Sequence, residues 1–574
     1  MKIKKYLNAE TLIPAGILIL GLYLRVCNIN HSLPYIFNHD GQNFIEQALR
    51  YGRGILRPLG FSHGMLFSYM LSVEYGVYFL ANLFIGRMAG PADLLKEYIL
   101  DPSAFIMIGR LTVVYFSLGS LFLVYLICRK FFDEKTGLAA MLFTSVSFYL
   151  AYLSHIVKED IIVGFFLLCS FYYALKALEE KQYFNKPLYL SALFTGIAVS
   201  LKYYSFIGAV VMLLALAFKA KDNRIPLAVF FKIFLKAVFI ITAVFLVLNP
   251  YVLIDAKRFM SQMLTLKGAY AASHDSYGRL SWQLYILFLK QGVSSPVFYL
   301  YLASLPAIFT DRRILLCNAY PAVLYIFLCF FKGAMPHFLA SIIPFALISA
   351  AFLLTKAVSR FIKNNNSYGS IAVFFIAVAL ASSAFIASFK YCKILNGRDT
   401  RISAKAWIES NIKADSSILV EGAYSLNIAM GGPPLRENIS TLKRELAAIR
   451  KENASGFLWE NKIKYVVVPE SPAYELYKTI VISPEDIKIY NPEYVILSNY
   501  HRFPALPAAD AAKEYLKQRY ACIKTILPDV YINFFPSFES LYYSAFEGMG
   551  RVRLTALRAF HSYGPVIEIY KRKI

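Results

Sequence analysis

Asp40 sits in Phe37-Asn38-His39-Asp40-Gly41-Gln42-Asn43-Phe44, just past an apolar run from Thr11 to Val26. A carboxylate beside a membrane helix is not needed to hold that helix in lipid, and its cost rises with depth, so the position marks a functional candidate. Such a group can take a proton from a hydroxyl. An ordinary solvated loop aspartate is the other reading, and spacing alone leaves both open. A second group is Lys158-Glu159-Asp160, squeezed between two apolar runs. The two acids can hold a divalent cation such as Mg or Mn, or orient a hydroxyl. Equally, they are the residues a helix N-terminus favours. Lys158 and Lys202 can meet an anion such as a phosphate, or snorkel at a membrane interface. His39, His63, His155 and His337 are further candidates, although histidines in such settings more often serve structure than chemistry.

These residues must be positioned by helices in a bilayer. The chain has 574 residues, is 58% hydrophobic and only 17% charged, with a mean hydropathy of +0.50. That is too apolar for a soluble enzyme of this length. Apolar runs near the length of a bilayer span lie at 11–26, 104–127, 138–154, 161–178, 188–201, 203–218, 227–248, 281–309, 314–331, 337–357 and 368–388. They predict about eleven transmembrane helices. Met1-Lys2-Ile3-Lys4-Lys5 before the first run resembles a signal peptide, but no small-residue cleavage site follows, so an uncleaved first helix is expected.

The net charge of +24 does not point to nucleic acid. Much of the Lys and Arg lies in short loops between apolar runs, where it sets orientation and meets anionic headgroups. Arg129/Lys130/Lys135, Lys181/Lys186, Lys219/Lys221/Arg224, Arg312/Arg313 and Arg360/Lys363 fall on one side with Lys2, Lys4 and Lys5. The positive-inside rule makes that side cytoplasmic. Loops 28–103, 155–160, 249–280 and 332–336, with Lys202, then face outward. Every acid and histidine singled out above falls there, as does His274. Seven scattered cysteines have no metal-ligand spacing and suit packing. Cys392 and Cys522 both fall in the outer part, where a disulfide between them is conceivable.

After about residue 389 charges become frequent and apolar runs shorten. Helices are expected at Ala404–Asn411, Thr441–Glu452 and Ala508–Arg519. Strands are expected at Ser417–Glu421, Lys464–Val468, Tyr494–Leu497 and Val566–Tyr570, with a turn at Gly431-Gly432-Pro433-Pro434. The expected architecture is therefore mainly α. A membrane domain over 1–388, with a long first outer loop at 28–103, precedes an extracytoplasmic α/β domain over 389–574.

Four outer features recur together: Asp40 with Phe61-Ser62-His63-Gly64-Met65-Leu66, Ser154 to Asp160, Lys202 after the Gly196 span, and Asn249-Pro250-Tyr251. Together they resemble the GT-C superfamily of polytopic glycosyltransferases. The chain looks most like the dolichyl-phosphate-mannose protein mannosyltransferase group, family 39, and its bacterial polyprenyl-phosphate-sugar relatives. In that family an outer acid precedes a helix and a "His-Pro-Pro-Leu" segment. Asp40 matches the acid, while Ser62 to Leu66 departs by lacking both prolines and Asp40-Gly41 stands where Asp-Glu is common. Ser154 to Asp160 matches the second outer acid, with His155 where Arg is common, and His337-Phe338 stands where an Arg-Tyr is common. Arg401, Trp407-Ile408, Asn411 and Ser417-Ile418 look like the start of the family's outer domain.

The resemblance implies a membrane glycosyltransferase in the plasma (inner) membrane. It would move a sugar from a polyprenyl-phosphate donor to a protein, lipid or glycan acceptor, with Asp40 as base, Glu159 and Asp160 on acceptor or metal, and Lys158 and Lys202 on the donor phosphate. Two other classes stay open on residues alone. A polytopic transporter or lipid flippase would show inverted repeats and midplane ionisable groups. A non-catalytic membrane scaffold with an outer binding domain would keep its function without Asp40.

Overall fold

The computed structural model describes residues 9–37, 39–180, 186–272, 280–331, 334–362 and 367–421, shorter stretches between 423 and 529, and 562–573. Its contacts divide the chain into two units. One comprises residues 1–29, 53–72 and 109–389; the other comprises 30–52, 73–108 and 390–574. The first outer segment is thus shared between both.

The first unit is helical. Its runs of Leu, Ile, Val and Phe exceed the length a strand needs, and only a helix satisfies every backbone group within one lipid-embedded segment. Among the described residues, six of its helices are long and apolar enough to cross a membrane: Asp160–Glu179, Tyr203–Asp222, Leu227–Leu248, Arg312–Cys329, Ile343–Arg360 and Ile371–Ile394, the last running a few residues past the unit boundary. Ser103–Phe131 makes a seventh and begins in the second unit. Ser281–Val293 and Ser295–Phe309 form a pair bent by 114°, with Ser294 at φ 76° between them. Leu12–Val26 and Lys186–Leu201 are apolar but shorter.

The eleven predicted runs are all helical, but the 138–154 run is not one helix. It splits into Glu134–Val146 and Phe148–Leu153 at Ser147. The cause lies in partners far along the chain. Ser147 Oγ donates to the Gly292 carbonyl at 2.9 Å. The fully buried Arg25 takes the carbonyls of Ser145 at 2.8 Å and Thr144 at 3.1 Å, which the break leaves open. A third bond reaches Ser117 Oγ at 2.6 Å.

The second unit carries a five-stranded sheet in the order β5-β2-β6-β9-β7: β2 Ser417–Glu421, β5 Glu475–Thr479, β6 Tyr494–Ser498, β7 Tyr520–Ile526 and β9 Ile567–Arg572. β5, β2 and β6 run parallel, whereas β9 runs antiparallel to both β6 and β7. Parallel neighbours need crossovers, which helices such as Ile439–Lys451 supply. β1 (Arg398–Asp399) pairs in parallel with β8 (Ser562–Tyr563), and β3 (Ala423–Ser425) with β4 (Ile428–Ala429) in antiparallel. Apolar residues lie on both sheet faces. Ile418, Val420 and Ile496 pack with Ala404 and Ile408 of the Thr400–Asn411 helix, and Leu419, Val495 and Leu497 pack with Ala512 and Leu516 of Pro507–Arg519. The predicted strand Lys464–Val468 lies outside the described residues, as do Gly431, Lys181, Lys363 and His274. All seven cysteines are free thiols, so Cys392, which is buried, and exposed Cys522 do not form the disulfide considered from sequence.

Candidate active site

Ser154 to Glu159 forms a tight turn between Phe148–Leu153 and Asp160–Glu179. Ser154 Oγ donates back to the Leu150 carbonyl at 2.7 Å. His155 staples the turn, with Nδ1 2.9 Å from the Ala151 carbonyl and Nε2 3.0 Å from that of Cys27. Burial pulls the His155 imidazole down to about 4, outweighing the two carbonyls that favour its charged form. His155 is therefore a neutral structural residue. The turn delivers Lys158, Glu159 and Asp160 to the start of the Asp160–Glu179 helix, whose N-terminal dipole favours acids.

All three are buried, Glu159 and Asp160 almost completely. Lys202 meets them from the junction between Lys186–Leu201 and the 3-10 turn Tyr203–Gly208. Its Nζ lies 3.1 Å from Glu159 Oε1 and donates to Asp160 Oδ1. Lys158 Nζ is 3.9 Å from Asp160 Oδ2, and His63 Nδ1 is 2.9 Å from Glu159 Oε1. Burial alone would raise the Glu159 carboxyl, but Lys202, His63 and Lys158 overcome it and hold it below the usual range. Burial would likewise discharge Lys202, yet Asp160 and Glu159 keep its pKa above the ordinary lysine value. The rings of Phe338 and Tyr204 flank the Lys202 ammonium at 5.3 and 5.8 Å, distances at which an aromatic face attracts a cation. His337 is buried, with its ring centroid 4.5 Å from that of Phe338.

His63 reaches the cluster because its backbone is held at three points. The Gly64 N–H donates to the Leu201 carbonyl at 3.1 Å, Tyr203 Oη donates to the His63 carbonyl at 3.1 Å, and the Met65 N–H donates to Asn249 Oδ1 at 2.8 Å. A Cβ on residue 64 would stand 2.0 Å from the Ser200 carbonyl oxygen. Only glycine allows this approach.

Five candidates, His63, Lys158, Glu159, Asp160 and Lys202, thus converge. Asp40 belongs to the second unit, half-buried in the first turn of His39–Gly52. The His39 side chain lies outside the described ones. Sequence reasoning missed Gly64, Tyr203, Tyr204 and Phe338; the aromatics flanking Lys202 and His337 in the chain were the available signal.

A divalent cation finds little support here. Glu159 Oε2 and Asp160 Oδ2 are buried without hydrogen-bond partners. However, an ammonium already sits against the other oxygen of each, and a hard cation wants about six oxygens. Among the described residues no three His, Cys, Asp or Glu side chains gather as a metal site. These residues do not fit a resident divalent ion.

Residues 106–251, which contain Lys158, Glu159, Asp160, Lys202 and Asn249, match the family described as dolichyl-phosphate-mannose-protein mannosyltransferase. Two solved structures resemble much of the chain. ArnT from Cupriavidus metallidurans, bound to undecaprenyl phosphate, is 12% identical with a TM-score of 0.50, over 77% of this chain and 88% of that one. The Archaeoglobus fulgidus oligosaccharyltransferase in the apo form is 12% identical with a TM-score of 0.50, over 90% of this chain and 73% of that one. The chain has the GT-C glycosyltransferase fold. No curated protein matches it in sequence. With its GT-C fold and its spans the chain is an integral membrane protein, and four of the five convergent residues, Lys158, Glu159, Asp160 and Lys202, lie within the segment matched to the mannosyltransferase family.

Proposed function

We propose that this GT-C chain is a glycosyltransferase that moves a sugar from a polyprenyl-phosphate donor to a hydroxyl or amide acceptor on the extracytoplasmic face of the plasma (inner) membrane. The observation that carries the reading is the cluster of buried Lys158, Glu159, Asp160 and Lys202, all within the family-matched segment, joined by half-buried His63. Buried ionisable groups in a membrane protein are expensive, so their retention argues for use.

Displacement at the anomeric carbon forms a bond from acceptor to sugar and breaks the bond from sugar to phosphate oxygen. The acceptor proton must leave and the departing polyprenyl phosphate must be met by positive charge. Asp40 takes the proton. Lys158 and Lys202 supply the charge. Glu159 and Asp160 hold Lys202 fixed, so that its charge is set in place before substrate arrives, and they orient the acceptor. The lysines do the work a metal would otherwise do. The α/β region from 389 onward is extracytoplasmic on this reading.

Purified full-length protein incubated with radiolabelled polyprenyl-phosphate sugars and solubilised membranes as acceptor tests this. Transfer from at least one donor, lost in Asp40→Asn by ~10²–10⁴-fold, the usual cost of removing a general base, is expected. Wild-type turnover in Asp40→Asn removes the base; no transfer or donor cleavage with any sugar removes the function.

A further inference from the structure

Asp40 opens its helix only three residues after Phe37, and the approach to it is fastened by residues of the same unit from the far end of the chain. Arg401 is fully buried. Its guanidinium carbon lies 3.6 Å from the centre of the Phe37 ring. That is close stacking, well inside the ~6 Å reach of a cation–π contact. The guanidinium cannot swing away, because Asp399 grips it with two oxygens: Nε to Oδ1 at 2.9 Å and Nη2 to Oδ2 at 2.6 Å. Such a planar fork fixes orientation as well as charge. Asp399 is itself fixed. Its Oδ1 also accepts the Arg401 N–H at 2.8 Å and caps the Thr400–Asn411 helix.

The corner beneath is equally built. Asp399 pairs in register with Tyr563 across β1 and β8, and Thr400 Oγ1 donates to the Pro565 carbonyl at 2.7 Å. Gly564 stands at φ +120°, and a Cβ there would lie 2.5 Å from Thr400 Oγ1. The chain ahead of Asp40 touches this corner at a second place, where Ser32 Oγ and the buried Tyr563 Oη are 3.1 Å apart. Between the two contacts lies Tyr35, whose hydroxyl is pushed up to about 12 by burial and by the charges of Glu409 and Asp101.

We propose that Arg401 is a positioning residue for Asp40. Through Phe37 it fixes where the His39–Gly52 helix begins, and hence where the Asp40 carboxylate is held. The 389–574 region then has a direct part in catalysis beyond covering or binding. This rests on Asp40 being the base. Displacement of a catalytic group by ~1 Å can cost ~10²-fold, so Arg401→Lys, which keeps the charge but loses the fork and the flat face, is expected to slow turnover by ~10–100-fold. Phe37→Leu keeps apolar bulk without a ring face and is expected to do the same. Donor KM should stay within about two-fold for both, since neither residue binds the sugar phosphate.

The test compares Asp40→Asn, Arg401→Lys, Phe37→Leu and the two doubles with Asp40→Asn in full-length protein, with the polyprenyl-phosphate sugar active in wild type. Residual rates are read in long incubations. If Arg401 acts through Asp40, it adds little further loss once the carboxylate is gone. Equal additional loss in the double variants overturns the proposal in favour of a general structural role. Wild-type turnover in both Arg401→Lys and Phe37→Leu, with Asp40→Asn inactive, overturns it and leaves the base assignment standing. Wild-type turnover in Asp40→Asn overturns the base assignment itself.

Discussion

Replacing Lys202 with Met keeps most of the side-chain volume and removes one charge that two buried carboxylates share. At 3.1 Å from Glu159, an effective dielectric near 20 gives a gross attraction of about 5 kcal/mol. Desolvation offsets much of this in the intact cluster, so the attraction is not the net worth of the pair. Removing the cation is another matter, because Glu159 and Asp160 stay buried at 0% and 1% exposure. Breaking one side of a buried ion pair costs about 3–5 kcal/mol. Lys202→Met should therefore be destabilised by that amount in mixed-micelle unfolding. The double variant Lys202→Met/Asp160→Asn, with one carboxylate neutralised and Glu159 still facing His63, should be more stable than Lys202→Met alone. A change under about 1 kcal/mol in Lys202→Met would refute the reasoning, since the carboxylates would then have to be solvated or protonated without Lys202.

Three further outcomes are expected. His155 binds a proton more weakly folded, at about 4, than its ordinary 6.5. The unfolded chain thus holds more protons between those values, and stability should fall by about 3 kcal/mol as pH drops from about 6.5 to 4. His155→Gln should flatten that slope in melting curves taken across the range, and an unchanged slope would count against the neutral staple. Gly64→Ala should lose about 1–3 kcal/mol to overpacking and slow transfer, because the added Cβ pushes on the Ser200 carbonyl; wild-type activity there would show that the approach is loose. Extensive chelation and dialysis should leave transfer unchanged if, as proposed, lysines meet the leaving phosphate; loss restored by Mg or Mn would reverse this.

Much of the membrane part was legible because a run of about twenty apolar residues has few stable options in lipid. The break at Ser147 was not, since the run 138–154 has no Gly or Pro to mark a break and the partners Arg25 and Gly292 lie 119 or more positions away. In the α/β region, the strand Ser417–Glu421 and a helix at Ala404–Asn411 were readable from short apolar and amphipathic stretches, the helix in fact beginning at Thr400. The order that sets β2 between β5 and β6, with the final strand β9 antiparallel to β6 and β7, was not. Within the site, residue types pointed to Lys158, Glu159, Asp160 and Lys202, but spacing could not say that Lys202 would face acids 42 positions earlier. His155 was a candidate by type, although structure was the favoured reading for it; its bond to the Ala151 carbonyl one helical turn back, a partner no residue type announces, is structural. The missing prolines after His63 looked like a departure, whereas Gly64 meets a backbone that no larger residue could approach.

Ser32 and Tyr563 are separated by 531 positions. A ribosome adding about 5–20 residues per second needs roughly half a minute to two minutes to cover that distance. Through all of it Ser32 is already made and Tyr563 is not, whereas Arg401, the partner of Phe37, is made earlier. The stretch ahead of Asp40 is therefore fastened in two stages, at Phe37 first and at Ser32 only once β8 has been made. A chain cut short before Tyr563 lacks the second contact.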